Sequence, residues 1–290
     1  MANISAADVK KLRDQTGAGM MDCKGALEEA NGNFEEATTI LRKKGLASAA
    51  KKAGRATNDG VIGHRLAADN SSGILVEVNC ESDFVARTED FQNMVAGILD
   101  EIERKGDGAT EEWVKDPNGP IQQRVAAVIG KLGENMAVPR FVRYAGGGYV
   151  AHYVHGPKLA VQVEFSGVTP AIAVRDEFKD VAKKVAQQVA AASPEAPRYV
   201  SRAAVPPDVL EKERAIYRAQ MENSGKPANV IDKIVEGKLG SFFSLVVLPD
   251  QVSIHDSKQT VADVINAASK TLGASIGINR FARLKVGETA

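Results

Sequence analysis

The hydrophobic pattern of this 290-residue chain switches twice from a period of two residues to a period of 3.6 residues, and this repetition constrains the fold most strongly. A period of two is typical of β-strands with one buried face, and a period of 3.6 is typical of amphipathic helices. Each unit therefore predicts a β-hairpin followed by a helix. The first unit comprises "GVIGHRLA", "GILVEVNC" and residues 84–104, and the second comprises "GGYVAHYVHG", "KLAVQVEFSG" and "DEFKDVAKKVAQQVAAA".

Both units close on a related strand sequence. "AVPRFVRYAGG" follows the first unit and "GINRFARLKVGE" ends the second, and both contain the pattern R-F-x-R. The sequence therefore predicts an α+β protein whose core consists of two related halves of antiparallel sheet and helix. We place the first half at 56–140 and the second half at 141–195 together with 241–290.

The helix predicted at 84–104 carries a single apolar stripe. Its members, spaced 4-3-4-3-4, are Phe84, Thr88, Phe91, Val95, Ile98 and Ile102. By this pattern alone, Asp83 is the N-cap of the helix and Phe84 belongs to the core.

Residues 1–55 predict a module of three short helices with a basic connector. Ser5 is a favourable N-cap, "TGAG" interrupts the first helix, and Gly45 is expected to end the third. The second helix is expected to bury Met21. Met20 and Met21 either fill this small core or form a docking surface beside the "TGAG" turn, and the sequence leaves both alternatives open.

Residues 196–240 predict an antiparallel helical hairpin inserted into the second half. Two helical runs flank the turn sequence "NSGKP". The apolar residues expected to face each other are Val209, Ile216 and Tyr217 on one run and Ile231, Ile234 and Leu239 on the other. A homodimer through this hairpin and a self-contained hairpin both stay open.

Charge and the N-terminal sequence argue against several broad classes of protein. The 37 Lys and Arg residues offset 37 Asp and Glu residues, so no overall field would hold the chain on nucleic acid or on an anionic membrane. "MANISAADVKKLRD" has charges where a signal peptide has its apolar region, and no later apolar run reaches the roughly 18 residues of a membrane span. We expect a cytoplasmic protein that binds neither nucleic acid nor membranes directly.

The sequence contains no strong catalytic or cofactor motif. It lacks a P-loop and a dinucleotide fingerprint, and an offset of three on a strand places His152 and His155 on opposite faces, so we expect no metal site and no cofactor. An enzyme with Cys80 as nucleophile and His64 as base is one alternative, although the acids beside Cys80 would raise the thiol pKa. A nucleic-acid-binding module is another, although the basic runs have no interleaved aromatic residues.

Three stretches carry a family resemblance. "LRDQTGAGMMDCKGALEEANGNFEEA", "LVEVNCESDFVART" and "YVHG", in this order, closely resemble the bacterial elongation factor Ts family, and the resemblance spans nearly the whole chain. It implies a nucleotide exchange factor without catalytic residues, whose partner is the translational GTPase elongation factor Tu in its GDP-bound and nucleotide-free forms. It also implies that the N-terminal module is similar to ubiquitin-associated domains and docks on the GTPase domain.

The resemblance also assigns site residues. Ser82, Asp83, Phe84 and Val85 match the stretch that enters the partner near its magnesium and phosphate site, which implies that they displace the Mg²⁺ coordination. His155 matches a family histidine at the interface. The family more often has Thr at the position of Ser82, and Ser keeps the hydroxyl. The chain stops at "KVGETA", so the contact that an extra C-terminal helix makes in some members is expected to be absent or replaced.

The hydrophobic pattern and the resemblance place Phe84 differently, in the core or at the interface. Both hold if Phe84 lies at the extreme tip of its helix and extends beyond the core. The sequence therefore predicts that Phe84 is substantially exposed in the free protein although it lies on the apolar stripe.

Overall fold

A computed structural model describes residues 4–221 and 227–288. Within these residues the chain is a mixture of helices and two antiparallel sheets of three strands each, which confirms the predicted α+β class. Of the helices in the described ranges, none is both long enough and apolar enough to cross a bilayer.

Three helices form the N-terminal module: α1 (Ala6–Thr16), α2 (Met20–Glu29) and α3 (Phe34–Lys52). Ser5 caps α1, as predicted, and forms a capping box with Asp8, and Gly17 ends α1 in the left-handed conformation. The small core between the helices includes Val9, Leu12, Cys23, Ala26, Leu27 and Ala37. The expectation that Met21 is buried is wrong, because its side chain is 75% exposed while Cys23 faces the core.

The first half packs one sheet, in the order β1-β2-β3, against helices. In chain order its elements are β1 (Asp59–Leu66), β2 (Ser72–Cys80), α4 (Asp83–Ala86), α5 (Glu89–Lys105), α6 (Glu111–Lys115), α7 (Pro120–Leu132) and β3 (Met136–Ala145). Apolar residues from the sheet, α5 and α7 share one core, in which Phe91, Ile98 and Ile121 are fully buried.

Helix α3 continues through Gly45, so the expectation that it ends there is wrong. A Cβ atom at Gly45 would lie 3.3 Å from the carbonyl oxygen of Ala126 on α7, and one at Gly130 would lie 3.5 Å from the Cα of Gly45. The two glycines thus allow α3 and α7 to approach closely, which packs the N-terminal module on the first half. Packing against α7, rather than the local helix-stop signal, decides the conformation of this segment.

The second half repeats the plan of the first. Its sheet has the order β4-β5-β6, again antiparallel, with α9 and α12 sharing a core with it. In chain order its elements are β4 (Tyr149–His155), β5 (Leu159–Ser166), α8 (Pro170–Ala173), α9 (Asp176–Ala191), α10 (Pro207–Ala219), α11 (Ala228–Val246), α12 (Val261–Leu272) and β6 (Gly277–Lys285).

The repeated R-F-x-R pattern forms equivalent ion pairs in the two sheets. Arg140 on β3 donates to the buried carboxylate of Glu77 at 2.6 Å, and Arg280 on β6 donates to the buried carboxylate of Glu164 through two nitrogens at 2.9 Å each. In both sheets the arginine and the glutamate are cross-strand partners. A buried carboxylate requires such a partner, which explains why the pattern occurs in both halves.

Helices α10 and α11 lie antiparallel. Arg214 is paired with Glu236 at 3.3 Å and Arg218 with Asp232 at 3.1 Å, so the residue order along one helix is reversed on the other. Leu239 is buried as expected, whereas about half of the Ile216 side chain, 49%, is exposed, so its predicted contact with the facing helix stays a prediction. The "NSGKP" turn falls largely on 222–226, outside the described residues.

Two elements cross the boundaries that the sequence suggests for the domains. Strand β3 crosses residue 140 and pairs with β2 as far as Ala145, so all of β3 belongs to the first sheet. Helix α11 likewise crosses residue 240 and ends only at Val246. The four-part division stays a prediction, with its limits moved to the ends of these elements.

Candidate functional site

The candidate site is a short helix that follows β2 and is separated from α5 by a break. The single helix predicted at 84–104 is wrong: α4 ends at Ala86, and Thr88 has an extended backbone conformation and starts α5. Thr88 Oγ1 accepts the N–H of Phe91 at 3.3 Å and donates to the carbonyl of Val85 at 2.8 Å. Because one side chain bonds both helices, Thr88 fixes the angle between them.

Ser82, and not Asp83, is the N-cap of α4, which corrects the sequence-based assignment. Ser82 has an extended backbone, and its Oγ accepts the N–H of Val85 at 3.5 Å. Asp83 is the first helical residue, where a carboxylate favours the helix dipole. It pairs with Arg87, one turn later, at 2.7 Å. We call Ser82, Asp83, Phe84 and Val85 the tip.

Phe84 is 79% exposed, as the sequence predicts for a residue that extends beyond the core. Because the helix is broken at Thr88, Phe84 and Phe91 lie on two different helices and do not share a face, although both belong to the apolar stripe in the sequence. Ala86 is the buried residue of α4, and Val85 packs partly against the core of the first half. The helix thus anchors one side and presents a phenyl ring on the other.

Two residues of the loop between α7 and β3 form hydrogen bonds with the tip or with the residue just before it, and sequence reasoning missed both. Ser82 N–H and Oγ–H donate to the two oxygens of Glu134 at 3.0 and 2.6 Å. Glu81, just before the tip, accepts the N–H of Asn135 at 2.6 Å. Nothing local in the sequence signals these bonds, because they join segments far apart along the chain.

His155 lies at the same end of the first sheet as the tip. It ends β4, is exposed, and has its Nδ1 3.2 Å from the hydroxyl of Tyr153. In the turn that follows, Lys158 donates to Asp59 at 2.8 Å, and this hydrogen bond is the main reason why the pKa of Asp59 is lowered. Asp59 is the register partner of Cys80, the last residue of β2 before the tip.

The residues of the catalytic alternative are not brought together. Cys80 is buried and donates to the carbonyl of Ser82 at 3.1 Å, and burial, followed by the charges of Glu134 and Asp59, raises the pKa of its thiol to about 12. His64 pairs with Leu75 in the middle of β2 and contacts the ring of His152, with 4.8 Å between ring centroids. A thiol that stays protonated and lies apart from the histidine that would have to deprotonate it is a poor nucleophile.

A second exposed feature lies at the start of α2. Met20 is 51% and Met21 is 75% exposed, next to a groove of about 520 Å³ between the "TGAG" turn, α3 and α7. Arg42 and Lys131 contribute cationic side chains to the groove lining. Of the two alternatives for these methionines, filling the miniature core is excluded by their exposure, and docking stays a prediction.

Comparison with known proteins agrees on one family. The family described as "Elongation factor TS" matches residues 81–288. Among similar proteins, the elongation factor Ts of Trichlorobacter lovleyi is 42% identical over 98% of this chain and 93% of its own length. That of Aquifex aeolicus is 42% identical over 98% of both chains, and that of Nitratidesulfovibrio vulgaris is 41% identical over 99% of this chain and 97% of its own.

Proposed function

This chain belongs to the elongation factor Ts family, and on that premise we propose that it is a cytoplasmic exchange factor that releases GDP from elongation factor Tu. In this proposal the tip enters the partner beside its Mg²⁺ and phosphate site and displaces the Mg²⁺ coordination. The chain uses no catalytic residue and no cofactor of its own.

The observation that carries the proposal is the exposure of Phe84. A phenyl ring on a capped, anchored helix turn has only two side-chain torsions to lose on binding. Its burial in a partner pocket would contribute about 1.5–3 kcal/mol, the scale of an interface hot spot. Because Mg²⁺ bridges phosphate oxygens to protein ligands, a small displacement of those ligands weakens nucleotide binding strongly.

Asp83 gives the tip a negative charge close to the phenyl ring. Its ion pair with Arg87 is exposed, and an exposed pair contributes only about 0–1 kcal/mol, so the pair can open on binding at little cost. A freed carboxylate near the phosphate site would compete for backbone N–H donors and repel the nucleotide. Asp83 therefore acts beside Phe84 in the proposed displacement.

Other surfaces extend the proposed interface. His155 lies near the tip end of the first sheet and would contact the same partner. The N-terminal module, which we propose to be similar to ubiquitin-associated domains, would dock through Met20 and Met21. The antiparallel pair of α10 and α11 keeps exposed Ile216 available for a homodimer.

Thermodynamic linkage sets a further requirement. If the exchange factor weakens the binding of nucleotide to elongation factor Tu by a given ratio, bound nucleotide weakens the binding of the exchange factor to elongation factor Tu by the same ratio. The complex must therefore be tight without nucleotide and must be reversed by fresh GTP.

Replacement of Phe84 by alanine tests the proposal. We expect F84A to slow the release of labelled GDP from purified elongation factor Tu at least about tenfold, as for an interface hot spot. The matched control is V174A, because Val174 follows α8 in the second half and is also an exposed apolar side chain, at 68%. Release at the intact rate with F84A would refute the proposed role of Phe84 in the displacement.

A further inference from the structure

We infer that Glu134 is a positioning residue for nucleotide exchange: its carboxylate holds the tip in the geometry that presents Phe84 to the partner. This inference rests on the proposed function. Glu134 follows α7, and among the described residues of the tip its hydrogen bonds are both to Ser82. Its effect on exchange therefore has to pass through the start of α4.

The two bonds of Glu134 fix both polar groups at the start of the tip. The Ser82 hydroxyl donates to Glu134 Oε1 at 2.6 Å, and the Ser82 backbone N–H donates to Oε2 at 3.0 Å. Both bonds have an ionised acceptor, which makes them stronger than neutral ones. With its proton directed to Glu134, the Ser82 oxygen keeps a lone pair for the N–H of Val85.

A second carboxylate, that of Glu81, bonds the loop before β3 from the side of the tip. We call the hydrogen bonds of Glu134 and Glu81 between these two segments the clamp. Glu81 reaches from the tip side to the N–H of Asn135 at 2.6 Å, while Glu134 reaches from the loop side to Ser82. The Asn135 side chain donates to the carbonyl of Arg55 at 2.8 Å, and the Arg55 guanidinium lies 3.5 Å from Glu81. The clamp thus joins the tip, the loop before β3 and the connector that follows α3.

The equivalent turn in the second half shows why the tip needs this support. Thr169 caps α8 as Ser82 caps α4, and Phe178 on α9 is buried as Phe91 is on α5. However, α8 starts with Pro170, which fixes the backbone angle φ, and buries Ile172. Among the described residues, Thr169 has no hydrogen bond to a carboxylate.

The first half lacks both of those supports. Asp83 stands where α8 has its proline, and Val85, which corresponds to Ile172, is only partly buried. A helix of four residues forms too few internal hydrogen bonds to hold itself together. Side-chain hydrogen bonds at both ends of α4, between Glu134 and Ser82 at its start and between Thr88 and Val85 at its end, therefore hold the helix together with buried Ala86.

A double-mutant cycle separates positioning from a general effect on stability. We expect E134A to lower the maximal rate of labelled GDP release at saturating exchange factor about tenfold, with the half-saturating concentration changed less than about twofold. In the F84A background the same substitution should lower the rate less than about twofold, because no ring is left to position. E112A is the control, since Glu112 is an exposed carboxylate of the same half.

The free protein gives a second readout that needs no partner. We expect amide hydrogen exchange at residues 83–86 to be faster in E134A than in the intact chain, and unchanged in E112A. Equal, additive losses from E134A with and without Phe84, or unchanged exchange protection at the tip, would overturn the inference. If F84A alone leaves GDP release unchanged, the proposed role of Phe84 fails and the inference fails with it, whereas the exchange activity itself fails only if the intact chain does not accelerate release.

Discussion

Phe84 and Phe91 provide a test of the structure that is independent of any partner. The two residues lie on one apolar stripe in the sequence, yet Phe91 is fully buried and Phe84 is 79% exposed. We therefore expect their replacement by alanine to have very different effects on the free energy of unfolding, although the same atoms are removed in both cases.

The magnitudes follow from the burial. Phe91 belongs to the core of the first half, so F91A should lower the free energy of unfolding by about 3–5 kcal/mol through lost burial and a residual cavity. Phe84 has only about a fifth of its surface covered, and a fifth of the roughly 1.5–3 kcal/mol for full burial is about 0.3–0.6 kcal/mol.

Urea denaturation followed by circular dichroism measures both values. The midpoint should fall clearly for F91A and hardly at all for F84A, with the slope m unchanged in both variants. A loss above about 2 kcal/mol for F84A would mean that Phe84 packs into the core, and the separation of α4 from α5 at Thr88 would then be refuted.

Two further predictions concern pH and packing. Burial, and then neighbouring His64, lower the pKa of His152 to about 4. The unfolded chain binds this proton near pH 6.5, so the free energy of unfolding should fall by roughly 1–3 kcal/mol as pH falls from about 6.5 to about 4. Urea midpoints across this range should lose that dependence in H152Q, and an equal dependence in H152Q and in the exposed-site control H255Q would contradict the assignment. G45A should lower the melting temperature because its Cβ would crowd Ala126, whereas G25A, with open space around the added atom, should raise it; a higher melting temperature for G45A would contradict the close approach of α3 and α7.

Features that depend on local periodicity could be predicted from the sequence. Each half gives two strands of period two, a helix of period 3.6 and a closing R-F-x-R strand, and each appears in the structure in this order. The cap at Ser5 also depends only on neighbouring residues. Such signals act within a few residues, so they persist where no distant contact competes with them.

Features decided by competition or by distant contacts could not be predicted. The apolar stripe of residues 84–102 continues through Thr88, but the hydroxyl of Thr88 caps a new helix there. Hydrophobic periodicity alone gives no sign of such a cap. Gly45 resembles a helix stop and instead serves the contact with α7. Glu134 and Ser82 meet only because α7 and β3 return the chain to the end of β2.

The central claim is that this chain accelerates the release of GDP from elongation factor Tu. Its most direct test is the dissociation rate of fluorescently labelled GDP from the purified, Mg²⁺-loaded GTPase, measured with and without the chain in the presence of excess unlabelled GDP. The account predicts a rate that rises with the concentration of the chain to a plateau far above the intrinsic rate. An unchanged rate at saturating concentrations of the folded chain would contradict it.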